Sequence, residues 1–159
     1  MKKLIAILTV LCLLCGTCAA MADTTPPTFD SMPAVVLEDD NTTISETAYE
    51  GTWVVNASFL STEYIDQGTV YDTYGLYTFI PITIADGKIR QDVQNENGEF
   101  VTVEKAYTFE AGQLWFTDDT GLDCVIELLV DGNIVMSVFL PGEGEAKVCL
   151  SLFMVHPDE

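Results

Sequence analysis

The sequence predicts an all-β protein, an eight-stranded antiparallel up-and-down meander barrel. Three observations lead to this fold class. Turn-forming dipeptides recur at short and regular intervals, ending in Gly87, Gly98, Gly112, Gly121, Gly132 and Gly142. Several of the segments between them alternate apolar and polar residues with a period of two, and no long segment has a helical period. Short strands separated by regular turns are typical of a sandwich or barrel, and closure into a barrel removes both exposed edges.

The turns divide the chain from residue 49 onward into eight candidate strands. These are residues 52–60, 76–85, 88–94, 99–109, 113–118, 122–130, 133–140 and 147–155. Residues 61–75 form the one long loop.

Two of the predicted strands show their faces clearly. In the second strand Leu76, Ile80, Ile82 and Ile84 share one face. Pro81 in the same strand cannot donate a hydrogen bond to a ladder, which predicts a bulge or weak pairing there. In the fourth strand Val101, Val103, Tyr107 and Phe109 share a face.

The last three strands differ from the others because they are apolar on both faces. A two-residue turn at Asp131-Gly132 predicts that Cys124 lies opposite Phe139. A strand that is apolar on both sides needs cover on both. The preceding linker, a partner protein or a second copy of the chain are the candidate covers, and the last of these predicts a homodimer through the C-terminal strands.

Beyond residue 22 the chain has two cysteines, Cys124 and Cys149. In a meander they lie two strands apart, at roughly twice the 4.7–4.9 Å strand spacing, whereas a disulfide needs Cα atoms within about 7 Å. We therefore expect two free thiols.

The N-terminal residues 1–22 resemble a secretory signal peptide. Lys2 and Lys3 precede an apolar run, and Ala20-Met21-Ala22 is an A-x-A cleavage pattern. Cys18 leaves a lipoprotein anchor as the alternative, although the residues before it fit lipid attachment poorly. The predicted protein is thus secreted or held at the cell surface, with no membrane span.

Two regions follow the signal peptide. Residues 23–48 are rich in Pro, Thr and acidic side chains, which predicts a flexible linker. Residues 49–156 form the predicted barrel domain. The whole chain has 25 acidic and 6 basic residues, for a net charge of −19, so it will repel nucleic acid and anionic membrane surfaces.

The sequence offers little for catalysis. His156 is the only histidine and lies after the last predicted strand, where a base is hard to position. No catalytic motif is present, and we expect no enzyme activity and no cofactor. Asp118, Asp119 and Asp123 flank a glycine turn, but their spacing matches no EF-hand loop, so a solvated acidic turn is favoured over a metal site.

The opening of the domain, Gly51-Thr52-Trp53, followed by a long loop and a regular meander, resembles the lipocalins, and most closely the short secreted lipocalin-like domains of bacteria. In that family a G-x-W motif opens the first strand. The resemblance implies that Gly51 eases the chain into the barrel and that Trp53 closes its floor. It also implies a small hydrophobic ligand inside the barrel and a first connection folded over the open mouth.

The candidate ligand site is this mouth. The long loop and the residue positions after it hold Tyr64, Tyr71, Tyr74 and Tyr77. Tyrosine has an apolar body and a polar tip, which suits a surface where ligand and water both reach. Packing of these rings on the barrel rim is the alternative. The function predicted is binding of a small hydrophobic molecule, and the alternative is a filled barrel that uses its C-terminal sheet as a protein contact surface.

Overall fold

A computed structural model of the chain describes residues 25–39, 42–143 and 146–157. The predicted signal peptide and Cys18 lie outside these residues. The strands are β1 Gly51–Leu60, β2 Glu63–Tyr64, β3 Ile82–Ala85, β4 Lys88–Gln94, β5 Phe100–Ala106, β6 Thr108–Glu110, β7 Gln113–Thr117, β8 Asp123–Leu128, β9 Ile134–Pro141 and β10 Lys147–Val155. The helices are the α-helix α1 Gln67–Tyr74 and two short 3₁₀ helices, Phe29–Ser31 and Glu46–Tyr49.

The strands form a nearly closed antiparallel barrel, which confirms the predicted all-β meander barrel, with nine strands in place of the eight expected. Nine strands follow one another in the order β5-β4-β3-β1-β10-β9-β8-β7-β6, and β2 pairs with β1 at the side. The pairing of β1 with β10 joins the first strand to the last. Only Tyr107 separates β5 from β6 along the chain. The predicted strand 99–109 is therefore split at Tyr107, since its first part pairs with β4 and its second with β7.

The predicted strand 76–85 is wrong in its first half. Only Ile82–Ala85 forms a strand, and residues 76–80 form a compact turn in which Thr78 N donates to Leu76 O and Ile80 N to Tyr77 O. Pro81 separates the two parts, because it has no N–H to offer the ladder.

The long loop contains a helix that hydrophobic periodicity did not reveal. The Oδ1 atom of Asp66 accepts from Thr69 N at 3.0 Å and caps the first turn of α1. Gly75 ends the helix in the left-handed conformation at φ 69°. The hydrogen bonds from Thr69 also lower the pKa of Asp66. An Asp and a Gly at these two ends are the helix boundary signals in the sequence.

The predicted register between β8 and β9 is wrong by one residue. Cys124 pairs with Val138 rather than with Phe139. The hairpin loop has three residues, 130–132, because Gly132 N donates to Leu129 O and Gly132 takes φ 87°. Since side chains alternate along a strand, this shift places Val138 inside the barrel and turns Phe139 outward.

One end of the barrel is closed by residues at the start of β1. Trp53 is fully buried, donates from Nε1 to Tyr49 O at 2.9 Å and stacks on the His156 ring at 3.8 Å between ring centroids. The Tyr49 hydroxyl donates to Gly112 O at 2.5 Å and accepts from Leu128 N at 3.1 Å. Burial raises the pKa of Tyr49 to about 12. Gly51 lies so close to His156 that a Cβ added there would be 2.8 Å from Cε1.

The segment before the barrel lies across the outer face of the C-terminal strands. We call residues 29–36 the strap. Its backbone joins the sheet, because Val36 N donates to Leu128 O and Val130 N donates to Ala34 O. Phe29, Met32 and Val35 pack on a buried outer cluster of Ala57, Phe59, Leu129, Val135 and Phe153. The strap therefore covers the second apolar face of these strands.

Both cysteines in the described part of the chain are free. Cys124 is buried within the main core on the inner face of β8. Cys149 pairs with Phe139, so it lies on the outer face, with β9 between the two cysteines. The expectation of two free thiols is confirmed.

Candidate functional site

The candidate site is a cavity of about 120 Å³ inside the barrel. Its walls come from the inner faces of β1, β3, β4, β5, β7, β8, β9 and β10. The apolar lining residues include Val55, Leu76, Ile80, Ile82, Ile89, Val103, Phe116, Met136, Val138, Leu152 and Met154. The cavity is comparable to an engineered cavity of about 150 Å³ that binds benzene, and is smaller than the roughly 300–1,000 Å³ of sites for larger ligands.

The turn at residues 76–80 forms a lid over this cavity. Gln91 on β4 fixes the lid, because its Nε2 donates to Tyr77 O and Ile80 O at 2.9 Å each. Both bonds use the amide NH₂ group of this cavity-lining side chain. The lid is thus held in one conformation by a side chain of the barrel wall.

A slit runs along one side of the cavity. Among the described residues no ladder of hydrogen bonds joins β5 to β7. β5 pairs with β4, and after Tyr107 the chain continues as β6, which pairs with β7. Lys105 on β5 forms a salt bridge with Asp119 across this gap. Both residues line the cavity, together with Asp118. The ion pair therefore closes the side of the cavity at which the barrel is incomplete.

One polar group at the cavity is unpaired. Thr78 in the lid is 5% exposed. Its Oγ1 is the one buried side-chain nitrogen or oxygen without a hydrogen-bond partner among the residues that the structure describes. An unpaired buried hydroxyl costs about 1–3 kcal/mol. This cost is offset if another molecule supplies the missing hydrogen bond.

Cys124 lines the cavity, and the pKa of its thiol is raised. Burial, and the nearby carboxylates of Asp118 and Asp123, raise the pKa of its thiol from 9.0 to about 12. Because the thiolate is the reactive form, we expect iodoacetamide to modify Cys124 at pH 8 more slowly than Cys149, by at least roughly tenfold. The rate at Cys124 should keep rising between pH 9 and about 12. Peptide mapping by mass spectrometry checks both statements, and equal rates at pH 8 would contradict them.

The structure places the four predicted tyrosines in different environments. Tyr77 lines the cavity as part of the lid. The Tyr71 ring packs on Tyr77 at 5.1 Å between centroids and borders the lid from outside. Tyr64 packs against Phe59 of the outer cluster, and Tyr74 packs against the main core. Of the four, Tyr77 alone belongs to the cavity lining.

Each of the acidic residues near the glycine turn already has a protein partner. Asp118 Oδ1 accepts from the backbone of Thr120 and Leu122 at 2.8 and 2.9 Å. Asp119 pairs with Lys105, and Asp123 with Lys147 at 3.0 Å. Over the described ranges, no group of three or more His, Cys, Asp or Glu could hold a metal ion.

Sequence reasoning missed three polar residues of the cavity lining, and it missed the contact of His156 with Trp53. Thr78, Gln91 and Lys105 gave no signal, because each is a polar residue in a segment read only for its apolar face. His156 was predicted to lie after the last strand, where a side chain is hard to position, but its Nδ1 lies 3.1 Å from Thr52 O and its ring stacks on Trp53.

Comparisons with known proteins give no relative. The chain matches no protein-family model, no curated protein and no solved structure. Within the part of the chain that the structure describes, no helix has the length and apolar character needed to cross a membrane. Argument about function therefore depends on the cavity.

Proposed function

We propose that this protein is an exported, non-catalytic, lipocalin-like binder of a small hydrophobic molecule, held in the barrel cavity. The observation that carries the proposal is the cavity of about 120 Å³, apolar on most sides and covered by a lid that Gln91 pins. Apolar cavities of this size take molecules of about one aromatic ring. Longer ligands, such as fatty acids, do not fit within this volume.

The alternative is a protein-interaction module that uses its C-terminal sheet as the contact surface. It has weaker support, because the strap already covers Phe59, Val135 and Phe153 on that sheet. An interaction through this face would first have to displace the strap and expose a buried apolar cluster.

The test is stabilisation of the purified protein by toluene. At a free concentration ten times Kd, a ligand that binds only the folded state stabilises it by about 1.4 kcal/mol, which raises the melting temperature. Toluene should also slow alkylation of Cys124, since this residue lines the cavity, and leave Cys149 unaffected.

A variant that fills the cavity should abolish the effect. Val103 on β5 lines the cavity, and Val103→Phe places a ring in the space that the ligand would take. Val101→Phe is the matched control, because Val101 lies on the same strand, is 40% exposed and is not part of the lining. We expect toluene to stabilise the wild type and Val101→Phe, but not Val103→Phe. No stabilisation of the wild type, or equal stabilisation of all three, would refute the proposal.

A further inference from the structure

The polar groups at the cavity point to the chemistry of its ligand. We propose that the cavity takes a compact neutral molecule with one hydroxyl group, such as a phenol or a small cyclic alcohol, and that Thr78 binds this hydroxyl. This inference rests on the proposed function and narrows it.

The first argument is the unpaired hydroxyl of Thr78. It is buried, without a partner, in a residue that lines a mostly apolar cavity. Rotation about χ1 moves the hydroxyl of a threonine among three staggered positions, so a change of rotamer can turn it toward a molecule in the cavity. A site with an unpaired buried polar group favours a ligand that supplies the hydrogen bond over an apolar one of the same size.

The second argument is that a hydroxyl group matches the hydrogen-bonding capacity of Thr78. The amide nitrogen of Gln91, another residue of the cavity lining, already donates to two lid carbonyls. Thr78 can donate or accept. A ligand hydroxyl, which also does both, can therefore pair with Thr78 in either role.

The third argument excludes anionic ligands. Lys105 is already neutralised by Asp119, and Asp118 adds a second carboxylate at the rim. An anionic ligand would meet these carboxylates in a chain of net charge −19. An anion would also lose its hydration against apolar walls without gaining an unpaired positive charge.

The experiment compares phenol, toluene and benzoate at pH 7 by calorimetry and by NMR titration. Phenol and toluene have the same number of non-hydrogen atoms and differ in the hydroxyl. In the wild type we expect both to bind, benzoate not to bind, and phenol to give intermolecular NOEs to the Thr78 methyl group. Thr78→Val keeps the shape and removes the hydroxyl, so phenol should bind about tenfold more weakly and toluene equally well or better. Thr73→Val, at an exposed position of α1, is the control and should change neither affinity.

The outcomes separate the two proposals. Suppose that toluene binds, but Thr78→Val leaves the affinity for phenol unchanged or phenol gives no NOE to the Thr78 methyl group. Thr78 then does not bind the ligand hydroxyl, and the cavity remains a site for apolar molecules. If benzoate binds as well as phenol, the exclusion of anions is wrong. If none of the probes binds the wild type, both proposals fail. The NOE measurement needs no variant, so the inference stays testable even if Thr78→Val does not fold.

Discussion

Replacement of Trp53 by alanine should destabilise the protein by about 3–5 kcal/mol, which is the usual cost of truncating a fully buried aromatic residue. Trp53 has no exposed surface, its Nε1 is bonded to Tyr49 O, and its ring supports His156. The change therefore leaves a cavity at the closed end, an unpaired carbonyl and an unsupported histidine ring. A loss of this size is a large part of the 5–15 kcal/mol that holds a typical domain folded.

Urea unfolding followed by circular dichroism measures this effect without relying on tryptophan fluorescence. Trp115→Ala is the matched control, because Trp115 lies on β7 and is 41% exposed. We expect it to cost about 1 kcal/mol or less. Similar losses for the two variants would mean that Trp53 does not support the closed end in the way the structure indicates.

Replacement of Phe29 by alanine should loosen the strap and destabilise the protein by about 2 kcal/mol. The Phe29 ring packs edge-on against Phe59 at 5.4 Å and Phe153 at 6.0 Å between centroids. Phe59 is fully buried and Phe153 is 7% exposed, so loss of the strap opens an apolar surface on the C-terminal strands. The expected value lies below that for Trp53, because Phe29 itself is only half-buried.

Two measurements check the second prediction. Urea unfolding gives the loss of stability, and sedimentation velocity together with binding of the dye ANS reports exposure of the outer cluster. Phe100→Ala is the control, since Phe100 is 65% exposed and lies on β5, away from the strap. Unchanged stability and unchanged dye binding in Phe29→Ala would show that the strap does not protect this face.

Strand positions were the part of the fold most open to prediction. The predicted strands 88–94 and 147–155 coincide with β4 and β10. Gly87, Gly112 and Gly132 adopt positive φ in the turns where the dipeptides placed them. These features are local, because alternation along a strand and the chemistry of a turn depend on neighbouring residues.

The errors arose where a local signal had two solutions. Asp131-Gly132 suits both a two-residue and a three-residue loop, and only packing on the inner face selected the register that buries Val138. The helix α1 is short and has one fully buried residue, Val70, so it shows almost no apolar stripe. Its two caps were in the sequence, but the apolar period that normally identifies a helix was too weak to read.

By itself the sequence determined the all-β class, the turns and the apolar faces of most strands, because each follows from the backbone preferences and hydrophobicity of adjacent residues. Only the tertiary structure decided the cavity. It depends on the lid that Gln91 pins, on the unpaired hydroxyl of Thr78 and on the slit that Lys105 and Asp119 close. These residues lie on separate parts of the chain and meet only when the barrel forms, so no local pattern marks them in advance.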